Sequence, residues 1–308
     1  MRTFGTRFAN CQRMNEPRCR GLARRVFAVL TVLALASCTA LKLGYDHADS
    51  LIVSSLDRYL DLTERQEDLV RSRARSLLAW HRQSQLPDYV SFIGAVRERI
   101  GRHFTPDDVL TVDEGIDRRL LRLGDQAAPD LAELALTLTP SQIDRLERKM
   151  ADDTARIRRE FAGSDGDRAA TRRMRRFIER TEGWFGDLRH DQLQLVHESP
   201  LGLPSRASWS IETRTRRQAD LVRLLRRVNA EHPDAATVAV WLRHYFDRLA
   251  HPVDAQEQAH AREFRRDSAE LVAALLNSAD ADQRSSINSR LAGYADDFRA
   301  LAREHRSD

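Results

Sequence analysis

Three cysteines occur in the 308-residue chain, and none lies beyond position 38. Cys11 and Cys19 fall near the start, so everything after Cys38 lacks a thiol. That long segment can form no disulfide and no cysteine-ligated zinc site, and it must hold together by packing alone. Glycine (13) and proline (9) are scarce, and no stretch alternates apolar with polar residues over strand length. Both observations argue against a hairpin-rich sheet. No apolar run reaches the roughly 20 residues that a membrane-spanning helix needs. His-Glu-x-x-His, Gly-x-Ser-x-Gly and phosphate-cradling glycine loops are all absent, which removes the usual signatures of zinc hydrolysis, serine hydrolysis and nucleotide binding.

What is present begins with an address. Arg18, Arg20, Arg24 and Arg25 precede the apolar run Val26–Ala36, which ends in Leu35-Ala36-Ser37-Cys38. A positive region, a short apolar core and small residues before one cysteine resemble a bacterial lipobox. The resemblance implies cleavage after residue 37 and a diacylglyceryl group on the Cys38 thiol. Two acyl chains, at about 0.8 kcal/mol per buried methylene, anchor stably where one would be marginal. Thr39 replaces the Asp that commonly marks inner-membrane retention, so the outer membrane and a periplasm-facing domain are expected. The expected organisation is a signal peptide over 1–37, a short tether over 38–44 and a helical domain over 45–308, whose stretches 45–162 and 168–308 either form two sub-halves or share one core.

The same cut corrects the charge. Of 50 basic and 46 acidic residues, seven and one lie before position 38, leaving 43 against 45 and a net of −2. The pI near 9.2 therefore belongs largely to the discarded segment, and nucleic acid is not an expected partner.

Apolar residues then recur at three- and four-residue spacing, as in Leu69, Val70, Leu77, Leu78 or Leu221, Leu224, Leu225, Val228. Such stripes predict an all-α antiparallel bundle of about ten helices. The expected spans are 45–61, 64–85, 88–103, 106–125, 128–136, 140–162, 168–187, 190–197, 210–230, 235–250, 254–277 and 280–304. Gly163-Ser164-Asp165-Gly166-Asp167 reads as a polar break, and Ser199–Ser205 as a stiffer loop.

Several helix starts share one device. Leu62-Thr63-Glu64-Arg65-Gln66 and Leu138-Thr139-Pro140-Ser141-Gln142 read as capping boxes, in which Thr accepts a free N–H and Gln reaches back. Phe104-Thr105-Pro106-Asp107-Asp108 repeats the plan with an acid in last place. Leu188–Gln192 and Ala279–Gln283 are weaker echoes. Irregular spacing argues against a solenoid, and shared capping chemistry is the simplest account.

Asp61–Glu67, Leu78-Ala79-Trp80-His81-Arg82, Leu86-Pro87-Asp88-Tyr89 and Arg290–Arg299 resemble a family of bacterial lipoproteins of unknown function. That family carries a lipobox and helical character but no known reaction. The two complete Leu-Thr-x-x-Gln boxes (Leu62, Thr63, Gln66; Leu138, Thr139, Gln142) also resemble those of periplasmic chaperones that bear this motif, from which the other three starts depart.

No metal or cofactor is expected. Glu257-x-x-His260 has carboxylate-bridged di-iron spacing but lacks a second pair, and Asp165-Gly166-Asp167 lacks the other calcium ligands. Two arginine groups, Arg172, Arg173, Arg175, Arg176 and Arg214, Arg216, Arg217, suit anionic partners or headgroups, with ion pairing to nearby acids as the plainer account. Trp209, placed after Pro204 in a loop, is the expected exposed contact. The expected function is a non-enzymatic, outer-membrane-anchored lipoprotein that binds protein clients or an envelope partner in a chaperone-like manner. A carrier of lipid or another apolar ligand, or a structural envelope component, is the alternative.

Overall fold

The computed structural model describes residues 44–161, 166–202 and 204–304. The expected signal peptide, Cys38 and residues 163–165 of the polar break lie outside the described residues. Among the described residues eleven α-helices follow one another: α1 Ala48–Leu60, α2 Glu64–Trp80, α3 Leu86–Arg99, α4 Pro106–Thr137, α5 Pro140–Phe161, α6 Gly166–Phe185, α7 His190–Glu198, α8 Pro204–Glu231, α9 Ala235–Ala250, α10 Ala255–Ser278 and α11 Ala281–Glu304. A π-turn, His81–Gln85, joins α2 to α3, and a 3-10 turn, Pro200–Gly202, stands before α8. Among the described residues there is no strand. The fold is an all-α helical bundle.

Local chemistry sets most boundaries. α1 stops where Asp61 turns left-handed (φ 57°), its N–H donating to the Asp57 carbonyl at 2.7 Å. Gly186, at φ +79°, closes α6 in the conformation that glycine adopts without strain. Thr63 and Thr105 cap α2 and α4, each with a reciprocal bond from the third residue of the helix.

Three expected boundaries move. The break expected between 125 and 128 is absent, and α4 runs unbroken from Pro106 to Thr137 with Pro129 inside it. An interior proline costs about 3 kcal/mol. Here the flanking Ala128 and Ala132 are fully buried, as is Val238 on α9, and α9 lies along α4 in the most extensive helix contact of the bundle. Small residues let the two backbones close together, and that packing outweighs the lost hydrogen bond. α8 starts at Pro204 rather than 210, which brings Trp209 into a helix. The gap expected between 85 and 88 is bridged by the π-turn.

Two apolar cores result. The larger joins Val53, Leu60, Val70, Leu138, Ile143 and Met150 to Val222, Val228, Val238 and Leu242. The smaller gathers Ile100, Phe185, Leu188, Val196, Leu271, Leu275 and Ile287. The larger core thus draws α8 and α9 from beyond residue 168, and the smaller draws Ile100 from before 162. Ion pairs tie helices across the surface: Arg73 to Glu133 at 2.7 Å, Arg119 to Asp88 at 2.9 Å, and half-buried Arg265 to Asp113 at 3.5 Å. Exposed pairs of this kind contribute about 0–1 kcal/mol each.

Helical glycines divide by what surrounds them. A Cβ on Gly115 would lie 2.6 Å from the Phe92 ring, whereas at Gly94 and Gly293 it would meet nothing within 4 Å. Gly115→Ala is therefore expected to lose about 1–3 kcal/mol through overpacking. Gly94→Ala and Gly293→Ala should gain about 0.5–1 kcal/mol from helix propensity. Urea unfolding of the three variants checks the sign at each position.

Candidate functional site

The expected capping glutamines do more than cap. An N-cap threonine needs only one oxygen from the residue three positions on, so a glutamine there has its NH2 left over. In α2, Gln66 Oε1 accepts from the Thr63 N–H at 3.0 Å. Its Nε2 donates to the Thr137 carbonyl at 3.0 Å and to Gln142 Oε1 at 3.2 Å. Gln142 at the start of α5 mirrors this. Its Oε1 accepts from the Thr139 N–H at 3.0 Å, and its Nε2 donates to the Asp61 carbonyl at 3.0 Å and to Gln66 Oε1 at 2.7 Å. Every donor and acceptor of both amides is used. A glutamate in either position would bring no donor and would set two acceptors face to face.

The two weaker echoes, Leu188–Gln192 and Ala279–Gln283, form a second clasp of the same wiring. Gln192 and Gln283 exchange Nε2-to-Oε1 bonds of 2.8 and 2.9 Å. Each Oε1 accepts from its own N-cap, Arg189 N–H at 3.0 Å and Asp280 N–H at 3.3 Å. Each Nε2 reaches the residue five before its partner glutamine: the Asp187 carbonyl at 3.0 Å and Ser278 Oγ at 3.2 Å. Asp61 and Thr137 hold those places in the first clasp. Gln192 is 0 % exposed, Gln66 and Gln283 5 %, and Gln142 7 %, so these amides join helix starts 76 and 91 residues apart away from water.

The fifth start shows why its last residue matters. Asp108 caps Thr105 but has no NH2 to offer a partner. The Asn277 amide instead brackets Phe104, accepting from its N–H and donating to its carbonyl, both at 2.8 Å. At the first clasp Asn229 similarly donates to the Leu138 carbonyl at 2.9 Å.

Outside the first clasp lies an open cleft of about 850 Å³. Thr63, Thr139 and Ser141 place hydroxyls along it, and Arg65, Arg145 and Arg148 rim it. Among the described residues Arg65 and Arg148 have no ion-pairing carboxylate, and Arg145 reaches Asp61 at only 3.7 Å. The N-terminal ends of α2 and α5 meet here, adding partial positive charge to that of the arginines.

A second polar cluster centres on the π-turn. Leu86 N–H bonds the His81 carbonyl, five residues back, and the extra residue spares Pro87 the clash that a regular helix would impose. His81 Nδ1 lies 2.8 Å from the Tyr45 hydroxyl and Nε2 lies 3.3 Å from that of Tyr89. Burial holds the imidazole below its ordinary 6.5 and pushes Tyr45 up to about 12. Neutral imidazole has one donor and one acceptor, so one tyrosine donates to it and the other accepts. Gln85, 2 % exposed, keeps an Oε1 without a hydrogen-bond partner among the described residues. None of these residues stood out as a site in the sequence. The available signal was Pro87 interrupting an apolar stripe beside Trp80-His81 and Tyr89.

The expected arginine groups are mostly drawn into the fold. Arg172 donates to the Glu160 carbonyl at 2.9 Å, Arg176 pairs with the Glu160 carboxylate, and Arg175 lies 3.7 Å from Glu179. Arg173 is half-buried beside them. Arg216 and Arg217 face Glu257 at 3.9 and 4.0 Å, and Arg217 donates to the Leu249 carbonyl at 2.9 Å. Arg214 is exposed and reaches only Thr154 Oγ1, at 3.3 Å. The two groups stand on different helices, α6 and α8. Trp209, expected in a loop, is a half-buried helical residue whose ring packs on His260 and Phe264 with centroids 5.8 and 6.0 Å apart. Glu257 and His260 are thus engaged elsewhere, and among the described residues no group of three or more His, Cys, Asp or Glu is placed to hold a metal. No helix among them is long and apolar enough to cross a membrane.

A family model described as a family of unknown function (DUF6279) matches residues 58–238, a span that contains the first clasp, its cleft and the π-turn. No curated protein and no solved structure matches the chain.

Breaking a clasp should cost about 2–3 kcal/mol, because the partner amide and two backbone groups lose bonds in a buried place. Gln66→Ala and Gln142→Ala are expected to fall short of additivity by about 1 kcal/mol in a denaturant-unfolding cycle; additive losses would show that the amides do not act together. A second prediction concerns His81. A base whose pKa is depressed on folding contributes stability that is present above its unfolded value near 6.5 and lost as pH falls through it. Stability should therefore drop more steeply between pH 7.5 and 5.5 in the parent chain than in His81→Gln, and parallel curves would contradict this.

Proposed function

The chain belongs to this family of unknown function, and on that footing we propose that it is a non-enzymatic binding protein of the bacterial envelope. In this reading acyl chains on Cys38 hold it at the periplasmic face of the outer membrane. The cleft outside the first clasp then receives a carboxylate-bearing segment of a protein partner. The observation that carries the reading is the pairing of two arginines lacking ionic partners with a row of hydroxyls over two converging helix N-termini. Guanidinium forks, hydroxyl donors and helix N-termini all favour a carboxylate. The cleft floor is the Gln66–Gln142 pair, locked by bonds to both neighbouring chain segments. A floor so fixed supports recognition of a defined partner segment more than accommodation of varied unfolded clients.

The anchor is supported by the order of charge, apolar run, small residues and cysteine at 18–38. Short spacing to α1 would keep the bundle close to the bilayer, where an envelope partner would meet it.

Two measurements test this. Cys38→Ala is expected to abolish labelling by radioactive palmitate and release the chain from membranes; a chain that stays unlabelled without the mutation removes the anchor. A photo-crosslinking side chain at Ser141 in the full chain, illuminated in cells, should yield an adduct of one discrete mass. Arg65→Glu with Arg148→Glu should reduce that adduct at least about tenfold, as expected for losing charge-assisted bonds. An adduct indifferent to the double reversal would refute the docking reading.

A further inference from the structure

Against the larger core, and separated from the polar cleft by Leu60, lies an apolar recess of about 380 Å³ that opens to solvent between α1, α4, α5, α8 and α9. Its walls include Leu56, Leu131, Leu146, Met150, Leu221 and Phe246. Its volume lies within the about 300–1000 Å³ range of small-molecule sites.

Four side chains of the lining carry polar atoms, of which both tyrosine hydroxyls and the Gln218 oxygen are hydrogen-bonded. Tyr245 donates to the Arg217 carbonyl at 3.3 Å. Tyr59 donates to Asp153 at 2.6 Å, and Gln218 Oε1 accepts from Thr154 at 3.0 Å. The fourth is Arg214, exposed at the rim, with Thr154 Oγ1 as its partner and no ion-pairing carboxylate among the described residues. Asp153 feels the charge of Arg214 through space but forms no direct ion pair with it, its oxygens taking the Tyr59 hydroxyl and Arg156 at 2.8 Å. The lining is therefore leucine-rich, with one cation at its solvent edge that has no direct ion pair among the described residues.

We infer that this cavity binds a single-chain amphiphile with an anionic head, the chain among the leucines and the head on Arg214. Apolar burial supplies the affinity for the chain, and a guanidinium matches a carboxylate or phosphate by its paired N–H donors. The volume accepts one medium chain and is too small for a two-chain lipid. The inference is independent of partner docking at the first clasp, since the two linings share only Leu60 and none of their polar side chains.

Calorimetry on the full-length chain, kept in digitonin because its rigid steroid body is too broad for the cavity, tests this with three probes. Decanoate and decyl phosphate are expected to bind one to one, and the tighter of them identifies the head group. Decyltrimethylammonium, with the same tail and opposite charge, should bind at least about tenfold more weakly. Arg214→Glu, a change at an exposed position, should weaken both anions about tenfold and strengthen the cation. Leu131→Trp, which fills the cavity, should abolish binding of all three, with circular dichroism reporting whether it folds. Absence of saturable binding by the parent chain overturns the site. Anion binding unaffected by Arg214→Glu overturns the head-group assignment, and binding that survives a folded Leu131→Trp overturns the cavity as its location.

Discussion

A primary amide taken out of water can make four hydrogen bonds and loses free energy for each one left unmade, and two pairs of helix starts in this bundle meet that demand in full. Gln66 and Gln142 meet it for each other, as do Gln192 and Gln283. Each pair fixes two helix starts and two preceding chain segments in one stroke. Single hydrogen bonds contribute about 1 kcal/mol net, but leaving one of these groups unpaired away from water costs more. The clasps therefore specify how hairpins meet more than they add raw stability. Leucine or alanine placed just before each capping position carries the apolar half of the arrangement, with Leu138 in the larger core and Leu188 and Ala279 in the smaller.

How far such an arrangement can be read in advance depends on the range of the forces involved. Capping is local, so the boxes at Thr63, Thr105 and Thr139 and the helices they open were legible from three-residue spacings. Pairing between caps is not local. Nothing in Leu188–Gln192 announces a partner 91 residues away, although the retained glutamine, set against Asp108 at the unpaired start, was the available clue. Pro129 misled for the opposite reason. Its penalty is local and readable, whereas the close approach of α9 that overrides it is tertiary. Pro200 and Pro204 upstream of Trp209 suggest a loop, yet a proline in the first turn opens a helix, as Pro204 does here. The arginine groups were legible as charge, but their division between ion pairing and a free rim depended on which helices lay opposite.

Two recesses of contrary character meet at one residue. Leu60, the last residue of α1, lines both the arginine-rimmed cleft and the leucine-lined cavity. On one side stand the clasp and its converging N-termini; on the other stands the larger core. The left-handed turn at Asp61 begins immediately after Leu60, and its carbonyl is the one that Gln142 holds. The partition between the polar cleft and the apolar recess is thus fastened by the same amide that closes the first clasp.

The π-turn has a further implication for how this chain tolerates change in length. An α-helix advances about 100° per residue, so one inserted residue between α2 and α3 resets the compass heading of every side chain that follows. Tyr89, Phe92 and the face of α3 that lies along α11 owe their bearings to that single additional step. Excising one residue from His81–Gln85 would restore regular helical pitch while swinging those groups away from their neighbours. Spacing there, more than the chemical identity of the residues, is what descent with modification is expected to leave untouched.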